Sequence, residues 1–207
     1  MPVTHSLRPA TVEDGAAAAE LLLSLPDGLA DVFARGEVAR RVARAAFEGP
    51  STMLSHRRAL VAEDGAVVGM VVRFPGPQWA ALRRRTAATM LRAAGVRHGP
   101  VLVWRGSILD RLIPAMPQGA MYVPALSVGP DHRGRGAGSA LLGRVIEEAA
   151  GLGLRVVALD VGARNAGAIR LYSRMGFDVA SEHRIRPRRG WPDLASLRME
   201  LPLAGRE

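Results

Sequence analysis

The chain of 207 residues contains no cysteine. It can therefore form no disulfide, bind no metal through thiolates and use no cysteine nucleophile. Aromatic residues make up only 4% of the chain, too few for the stacking platforms that bind single-stranded nucleic acid. The amino terminus lacks a charged segment followed by an apolar one, and no apolar run is long enough to span a bilayer. We therefore expect a cytoplasmic protein that does not enter a membrane.

Lysine is absent as well, so all 28 basic residues are arginines and the formal net charge is +9. A basic balance is typical of nucleic-acid-binding proteins. The exclusive use of arginine, however, is more typical of a biased genomic composition than of a surface selected to bind phosphates. An anionic cofactor would also favour a positive field around its groove. We therefore do not expect the protein to bind nucleic acid.

The first half of the chain predicts an α/β fold. Residues 7–14 predict a short strand that runs into the start of a helix, with Thr11 as the N-cap and Asp14 at position N3, and residues 15–25 are predicted to be helical. A second helix is predicted over about 29–47. Two apolar runs then flank Asp64-Gly65, a strong hairpin signal, so we expect strands over 58–63 and 66–73.

Residues 74–118 form an unusual, largely apolar segment bounded by prolines. It contains two helix-compatible pieces, over about 78–94 and 101–113. We interpret it as a helical insertion within a single domain that spans residues 1–207. It would either shape a substrate pocket or serve as a packing or dimerisation element, and both alternatives stay open.

The most informative motif lies in residues 126–142, which predict a strand, a basic glycine-rich turn and a helix that begins near Gly138. The first N–H groups of a helix lack intrahelical partners, and the helix dipole places partial positive charge there. Glycines allow the backbone to approach a ligand closely. The turn therefore predicts a site for a phosphate or pyrophosphate. We expect it to be held by Arg133, Gly134, Arg135, Gly136, Ala137, Gly138 and Ser139.

A second motif follows about twenty residues later. A strand is predicted over 154–161, and a helix with apolar residues at helical spacing runs from Asn165 to Met175, where Gly176 ends it. Two further strands are predicted over 177–185 and 194–201, joined by a basic loop at 186–192.

Together these motifs resemble the GNAT superfamily of acyl-CoA-dependent N-acyltransferases. In that family, V-x-P-x-x-R/Q-G-x-G-x-G/A is followed by a strand and then by N-x-x-A-x-x-L-Y-x-x-x-G-F. The resemblance is specific over about residues 119–180. The matching residues are Val128, Pro130, Arg133, Gly134, Gly136, Gly138, Asn165, Ala168, Leu171, Tyr172, Gly176 and Phe177.

The resemblance implies a mixed α/β fold with a largely antiparallel, twisted sheet, flanking helices and splayed central strands. It also implies acetyl-CoA as the acyl donor, a primary amine of a small molecule or peptide as the acceptor, and no metal. The strand that ends with Leu126, Ser127 and Val128 would expose its backbone to the pantetheine arm. Pro124 cannot donate a ladder hydrogen bond, which favours irregular pairing there.

The resemblance also implies roles for single residues. The N–H of Val128 would polarise the thioester carbonyl. Tyr172 would act as a general acid that protonates the leaving thiolate. Asn165 would hydrogen-bond the cofactor arm, although it is equally suited to be only an N-cap.

The general base is not predicted, because the strand over 120–125 contains no carboxylate. Glu63, Asp160, His132 or a water held by Tyr122 are the alternatives. The identity of the acceptor amine, the length of the acyl group and the formation of a homodimer also stay open.

Two other functions compete with this interpretation. A dinucleotide-binding oxidoreductase would use the same glycines together with Asp160, which ends the next strand. The third glycine of G-x-G-x-x-G is misplaced, however, and too few βα units follow the turn. A non-catalytic module that senses acyl-CoA would keep the fold and lack the chemistry.

Overall fold

A mixed seven-stranded sheet forms the centre of the molecule. The computed structural model describes residues 5–25, 36–109, 112–113, 115–185 and 194–203. The strands are β1 (Ser6–Pro9), β2 (Ala59–Glu63), β3 (Val67–Pro75), β4 (Ala120–Val128), β5 (Val156–Gly162), β6 (Asp178–Ile185) and β7 (Leu194–Pro202). The helices are α1 (Gly15–Leu23), α2 (Gly36–Glu48), α3 (Trp79–Leu109), α4 (Ala137–Gly151) and α5 (Ala166–Arg174).

The strand order is β1-β2-β3-β4-β5-β7-β6. Among these described strands, β4 and β5 form the parallel pair, and the other five ladders are antiparallel. The predicted class of fold, a mixed and largely antiparallel sheet with flanking helices, is therefore confirmed. The predicted hairpin is confirmed too: Gly65 takes a φ of 72°, in the left-handed region that suits glycine in a tight turn.

The two faces of the sheet carry different helices. On one face, Met121 and Val123 of β4 and Leu159 of β5 pack in one apolar cluster with Leu141 of α4 and Tyr172 of α5. On the other face, a second cluster joins the sheet to α1 and α2. Its members include Ala18, Leu22, Phe47, Val61, Met70, Val72 and Ala125.

The insertion is helical, as predicted, and it is broken where the sequence indicates. Gly95 takes a φ of 74° and a ψ of 173°, which interrupts the helix between the two predicted pieces. The second piece is described as far as Leu109. Both pieces pack on α2, where Ala94 and Leu102 form an apolar cluster with Val42. None of the described insertion residues lines the cavity of about 580 Å³ discussed below.

The insertion is also tied to the domain by hydrogen bonds. Arg41 of α2 donates from Nε to the carbonyl oxygen of Ala93 at 2.7 Å. The buried hydroxyl of Thr86 accepts from the N–H of Met53 at 2.7 Å and donates to the carbonyl of Leu82, also at 2.7 Å. The bonds with Arg41 and Met53 fix the first half of α3 against the body of the protein, whereas the bond to Leu82 lies within α3.

Two predicted segments lie outside the described residues: the start of the second helix, at 29–35, and the basic loop at 186–192. No helix in the described ranges has the length and apolarity needed to cross a membrane.

Candidate active site

The central parallel pair of strands comes apart part-way along its length. Pairing between β4 and β5 runs from Ala120 opposite Val156 to Val123 opposite Leu159. Pro124 follows at once and has no N–H with which to continue the ladder. On the other side of β4, the register with β3 shifts so that Val123 and Pro124 oppose the single residue Arg73, which is a β-bulge. The predicted irregular, splayed strand is therefore present.

A cavity of about 580 Å³ occupies the resulting gap. Its walls are the parted ends of β4 and β5, the glycine-rich turn and helix α5. The lining brings together most of the predicted site residues: Leu126, Ser127, Val128, Arg133, Gly134, Gly136, Ala137, Gly138, Ser139, Asn165 and Tyr172. Arg135 lies outside the lining, and its carbonyl oxygen is hydrogen-bonded to His5 Nε2 at 3.2 Å.

The backbone of β4 faces the cavity at alternate residues. The N–H of Gly129 donates to the carbonyl of Val68 at 2.9 Å, which fixes the phase of the β3–β4 ladder. Because hydrogen-bonded pairs alternate with non-bonded ones in an antiparallel ladder, the N–H groups of Leu126 and Val128 point away from β3 and into the gap. The side chain of Ser127 projects towards α1, and its hydroxyl donates to the carbonyl of Leu21 at 2.7 Å. Ser127 therefore ties β4 to α1 with its side chain.

Two glycines of the glycine-rich turn have left-handed backbone angles. Gly134 and Gly136 take φ values of 76° and 94°, while an added Cβ at either position would meet no atom within 4 Å. The backbone angle, and not a lack of space, therefore requires glycine at these two positions. The first bond inside α4 runs from the N–H of Ala140 to the carbonyl of Gly136, so the N–H groups of residues 137–139 precede the helical ladder.

Two other residues of the turn determine how it packs against its neighbours. A Cβ at Gly138 would lie 3.3 Å from Leu171 Cδ2, so this glycine permits the close approach of α4 to α5. Arg133 donates from Nε to the carbonyl of Val128 at 3.0 Å and from Nη2 to the carbonyl of Ser24 at 3.2 Å. The guanidinium of Arg133 thus holds the turn against the ends of β4 and α1.

Helix α5 presents two of the predicted residues to the cavity. The Oδ1 atom of Asn165 accepts from the N–H of Ala168 at 3.1 Å, so Asn165 is an N-cap. Its amide nitrogen is not used by this bond. Tyr172 is only 6% exposed, and its ring lies 5.9 Å from that of Phe177, on the face of the sheet that carries α4 and α5.

One carboxylate, Asp160, is among the described residues that line the cavity. It accepts two hydrogen bonds from Arg198, each 2.9 Å long, and a third from the hydroxyl of Tyr122 at 2.8 Å. Arg198 is 2% exposed and also donates to the carbonyl of Ala115 at 3.2 Å. Burial, reinforced by the nearby Asp160 carboxylate, raises the pKa of Tyr122, which therefore stays a neutral donor.

Asp160 and Tyr172 lie on opposite faces of the sheet. Leu159 and Val161 pack in the cluster with α4 and α5, and the alternation of a strand turns Asp160 to the other side, where Tyr122 also lies. Both residues reach the same cavity because the missing β4–β5 pairing opens a passage through the sheet.

The other two candidate side chains differ in their position relative to the cavity. Glu63 is absent from the lining, and Arg8 forms an ion pair with it at 2.6 Å. His132 does line the cavity, and its buried Nδ1 has no hydrogen-bond partner within the described residues.

One family model matches most of the chain. The family model described as "Acetyltransferase (GNAT) family" matches residues 37–177. The chain belongs to the GNAT family. At the level of the family, the predicted acyltransferase is confirmed. The largely antiparallel sheet also excludes the doubly wound parallel sheet on which the dinucleotide-binding alternative depends.

Individual relatives match over shorter stretches. The L-methionine sulfoximine/L-methionine sulfone acetyltransferase of Salmonella typhimurium is 35% identical over 79 residues, which cover 36% of this chain and 44% of that protein. The [ribosomal protein bS18]-alanine N-acetyltransferase of Escherichia coli K12 is 41% identical over 59 residues, covering 28% and 40%. The chain therefore spans less than half the length of these curated relatives.

Solved structures agree over nearly the whole chain. A crystal structure described as an acetyltransferase superposes with a TM-score of 0.67 at 25% identity, covering 96% of this chain and 100% of the other. An N-acetyltransferase from Staphylococcus aureus Mu50 superposes with a TM-score of 0.71 at 15% identity, covering 95% and 100%, and supports the fold alone.

The conformation of the turn generates a prediction about stability. Gly136→Ala should lower the free energy of unfolding by about 1–2 kcal/mol, because alanine is strained at a left-handed φ. Gly143→Ala is the matched control: it lies in α4, its Cβ also meets no atom within 4 Å, and it should raise stability by about 0.5–1 kcal/mol. Urea unfolding measures both values. Equal shifts in the two variants would show that the backbone angle at Gly136 is not a constraint.

Proposed function

We propose that this protein transfers an acetyl group from acetyl-CoA to a primary amine of a small molecule or a peptide. The observation that carries the proposal is the cavity between β4 and β5, which has unpaired amides at the glycine-rich turn and a carboxylate, Asp160, at its other side. The relatives named for acetylation of a ribosomal-protein alanine and of L-methionine sulfoximine support an amine acceptor.

The donor would lie along β4. The amides of residues 137–139 would hold its diphosphate at the N-terminus of α4, where the helix dipole favours negative charge. The inward-facing N–H groups of Leu126 and Val128 suit the pantetheine arm and the thioester. The N–H of Val128 would polarise the thioester carbonyl and stabilise the oxyanion that forms there. Asn165 would offer its free amide nitrogen to the same arm.

Attack by the amine would expel the coenzyme A thiolate without a covalent enzyme intermediate, which agrees with the absence of cysteine. The C–N bond would form first and give the tetrahedral oxyanion, and the collapse of this oxyanion would break the C–S bond. Tyr172 would donate its phenolic proton to the departing sulfur from the face of the sheet that carries α4 and α5.

The amine would approach from the opposite face, where Asp160 lines the cavity. An amine is protonated at neutral pH and must lose a proton before it attacks. The Asp160 carboxylate, although it is paired with Arg198, would receive this proton directly or through water. Arg198 and Tyr122 would act as positioning residues, since they touch Asp160 and hold it in place.

A panel of amines tests the proposed activity. Incubation with acetyl-CoA should release free coenzyme A thiol only when an accepted amine is present. The panel should include amino acids, polyamines and peptides with free α-amino groups, with thiol followed by a colorimetric reagent. Tight binding of acetyl-CoA without amine-dependent thiol release from any of them would favour the acyl-CoA-sensing alternative.

Tyr172→Phe removes the proton donor and keeps the ring in the core. It should lower kcat by about 10²-fold or more, the usual contribution of general acid catalysis, while the Kd for acetyl-CoA changes less than about twofold. Turnover and calorimetric titration give the two values. An equal loss of turnover and of acetyl-CoA affinity would contradict the acid role.

Asp160→Asn should lower kcat/KM for the amine by about 10²-fold and leave the Kd for acetyl-CoA nearly unchanged. Glu63→Gln, which alters a carboxylate outside the cavity, should leave turnover as it is. Because Asp160→Asn strands a buried arginine, the double variant Asp160→Asn/Arg198→Met provides a folded counterpart without the charge pair. Recovery of turnover in the double variant would show that Asp160 matters only for folding.

A further inference from the structure

A pair of arginines lines the cavity at α5 and is not used by the chemistry above. Arg170 and Arg174 are both exposed and both contribute to the lining. They are four residues apart on one helix, so their side chains project from the same face, one turn from each other. Two guanidinium groups at this spacing can reach a single ligand.

The two charges are not neutralised by the protein. Within the described residues, no ion pair involves Arg170 or Arg174. Like charges four residues apart on a helix destabilise it. Arg174 gains from its place in the last turn, where the helix dipole favours a cation, but Arg170 lies in the middle of α5. The helix dipole therefore stabilises the charge of Arg174 and not that of Arg170.

The cavity as a whole is left with an excess of positive charge. Its described lining contains three arginines, and its one carboxylate, Asp160, is already paired with the buried Arg198. The guanidinium of Arg133 is hydrogen-bonded to two backbone carbonyls. Arg170 and Arg174 are therefore the two lining arginines with no hydrogen bond or ion pair among the described residues.

Acetyl-CoA, the donor that we propose, carries a second anionic group besides its diphosphate. The diphosphate of coenzyme A would be held by the turn, but the ribose also bears a 3′-phosphate, a phosphomonoester with up to two further negative charges. Guanidinium groups bind phosphate through paired N–H donors, and a dianion offers enough oxygens for both arginines.

We propose that Arg170 and Arg174 bind the 3′-phosphate of the acyl-CoA donor and so select it over donors that lack this group. The inference rests on the proposed function, because it assigns a part of the same ligand. It adds a second anion site on α5 to the one at the glycine-rich turn.

The test compares acetyl-CoA with 3′-dephospho-acetyl-CoA by calorimetric titration of the whole protein. The unaltered protein should bind acetyl-CoA about tenfold more tightly or better, as expected for the loss of charge-assisted hydrogen bonds. Arg170→Ala/Arg174→Ala should lose this preference, with little change in the Kd for the dephospho compound. The control Arg144→Ala/Arg155→Ala removes two exposed arginines outside the cavity and should keep the preference.

The outcomes separate the two proposals. Equal affinity of the unaltered protein for both compounds, or a preference that survives in Arg170→Ala/Arg174→Ala, would overturn the 3′-phosphate site alone. Failure to bind either compound would overturn the proposed function and this inference with it. Thermal unfolding of each variant shows whether the protein stays folded.

Discussion

The site depends on one local failure of pairing: β4 and β5 stop exchanging hydrogen bonds after Val123. Pro124 has no N–H to offer, and the bulge opposite Arg73 changes the phase of β4. Both the passage through the sheet and the direction of the Val128 N–H follow from that change. A regular strand would fill the gap with ladder hydrogen bonds, and no cavity of this shape would remain.

The opening also has an energetic consequence, because it leaves polar groups of the sheet without strand partners. The side chain of Arg133 satisfies one of these groups, because it donates a hydrogen bond to the carbonyl of Val128. Asp160, which would otherwise be a lone buried charge, is compensated by Arg198 and Tyr122. The remaining inward N–H groups are the ones that a ligand can use.

Much of the fold was predictable because its signals are local. The hairpin at Asp64-Gly65, the break between the two pieces of the insertion and the start of α4 each depend on a few adjacent residues. Arg198 was not predictable in this way. It stands between two apolar residues of an alternating strand, a pattern that predicts a solvated side chain. The side chain is nevertheless buried, on the sheet face where it contacts Tyr122 and Asp160, and the pairing with Asp160 explains the charge.

The hydrogen bond from Arg198 to the carbonyl of Ala115 links the insertion to the side chain that holds Asp160. Ala115 lies near the C-terminal end of the insertion, and Arg198 donates two hydrogen bonds to the carboxylate of Asp160. Lengthening or shortening the segment before Ala115 would therefore shift the anchor of Arg198. A change of length in the insertion could therefore alter the proposed acceptor side of the site, although none of its described residues lines the cavity.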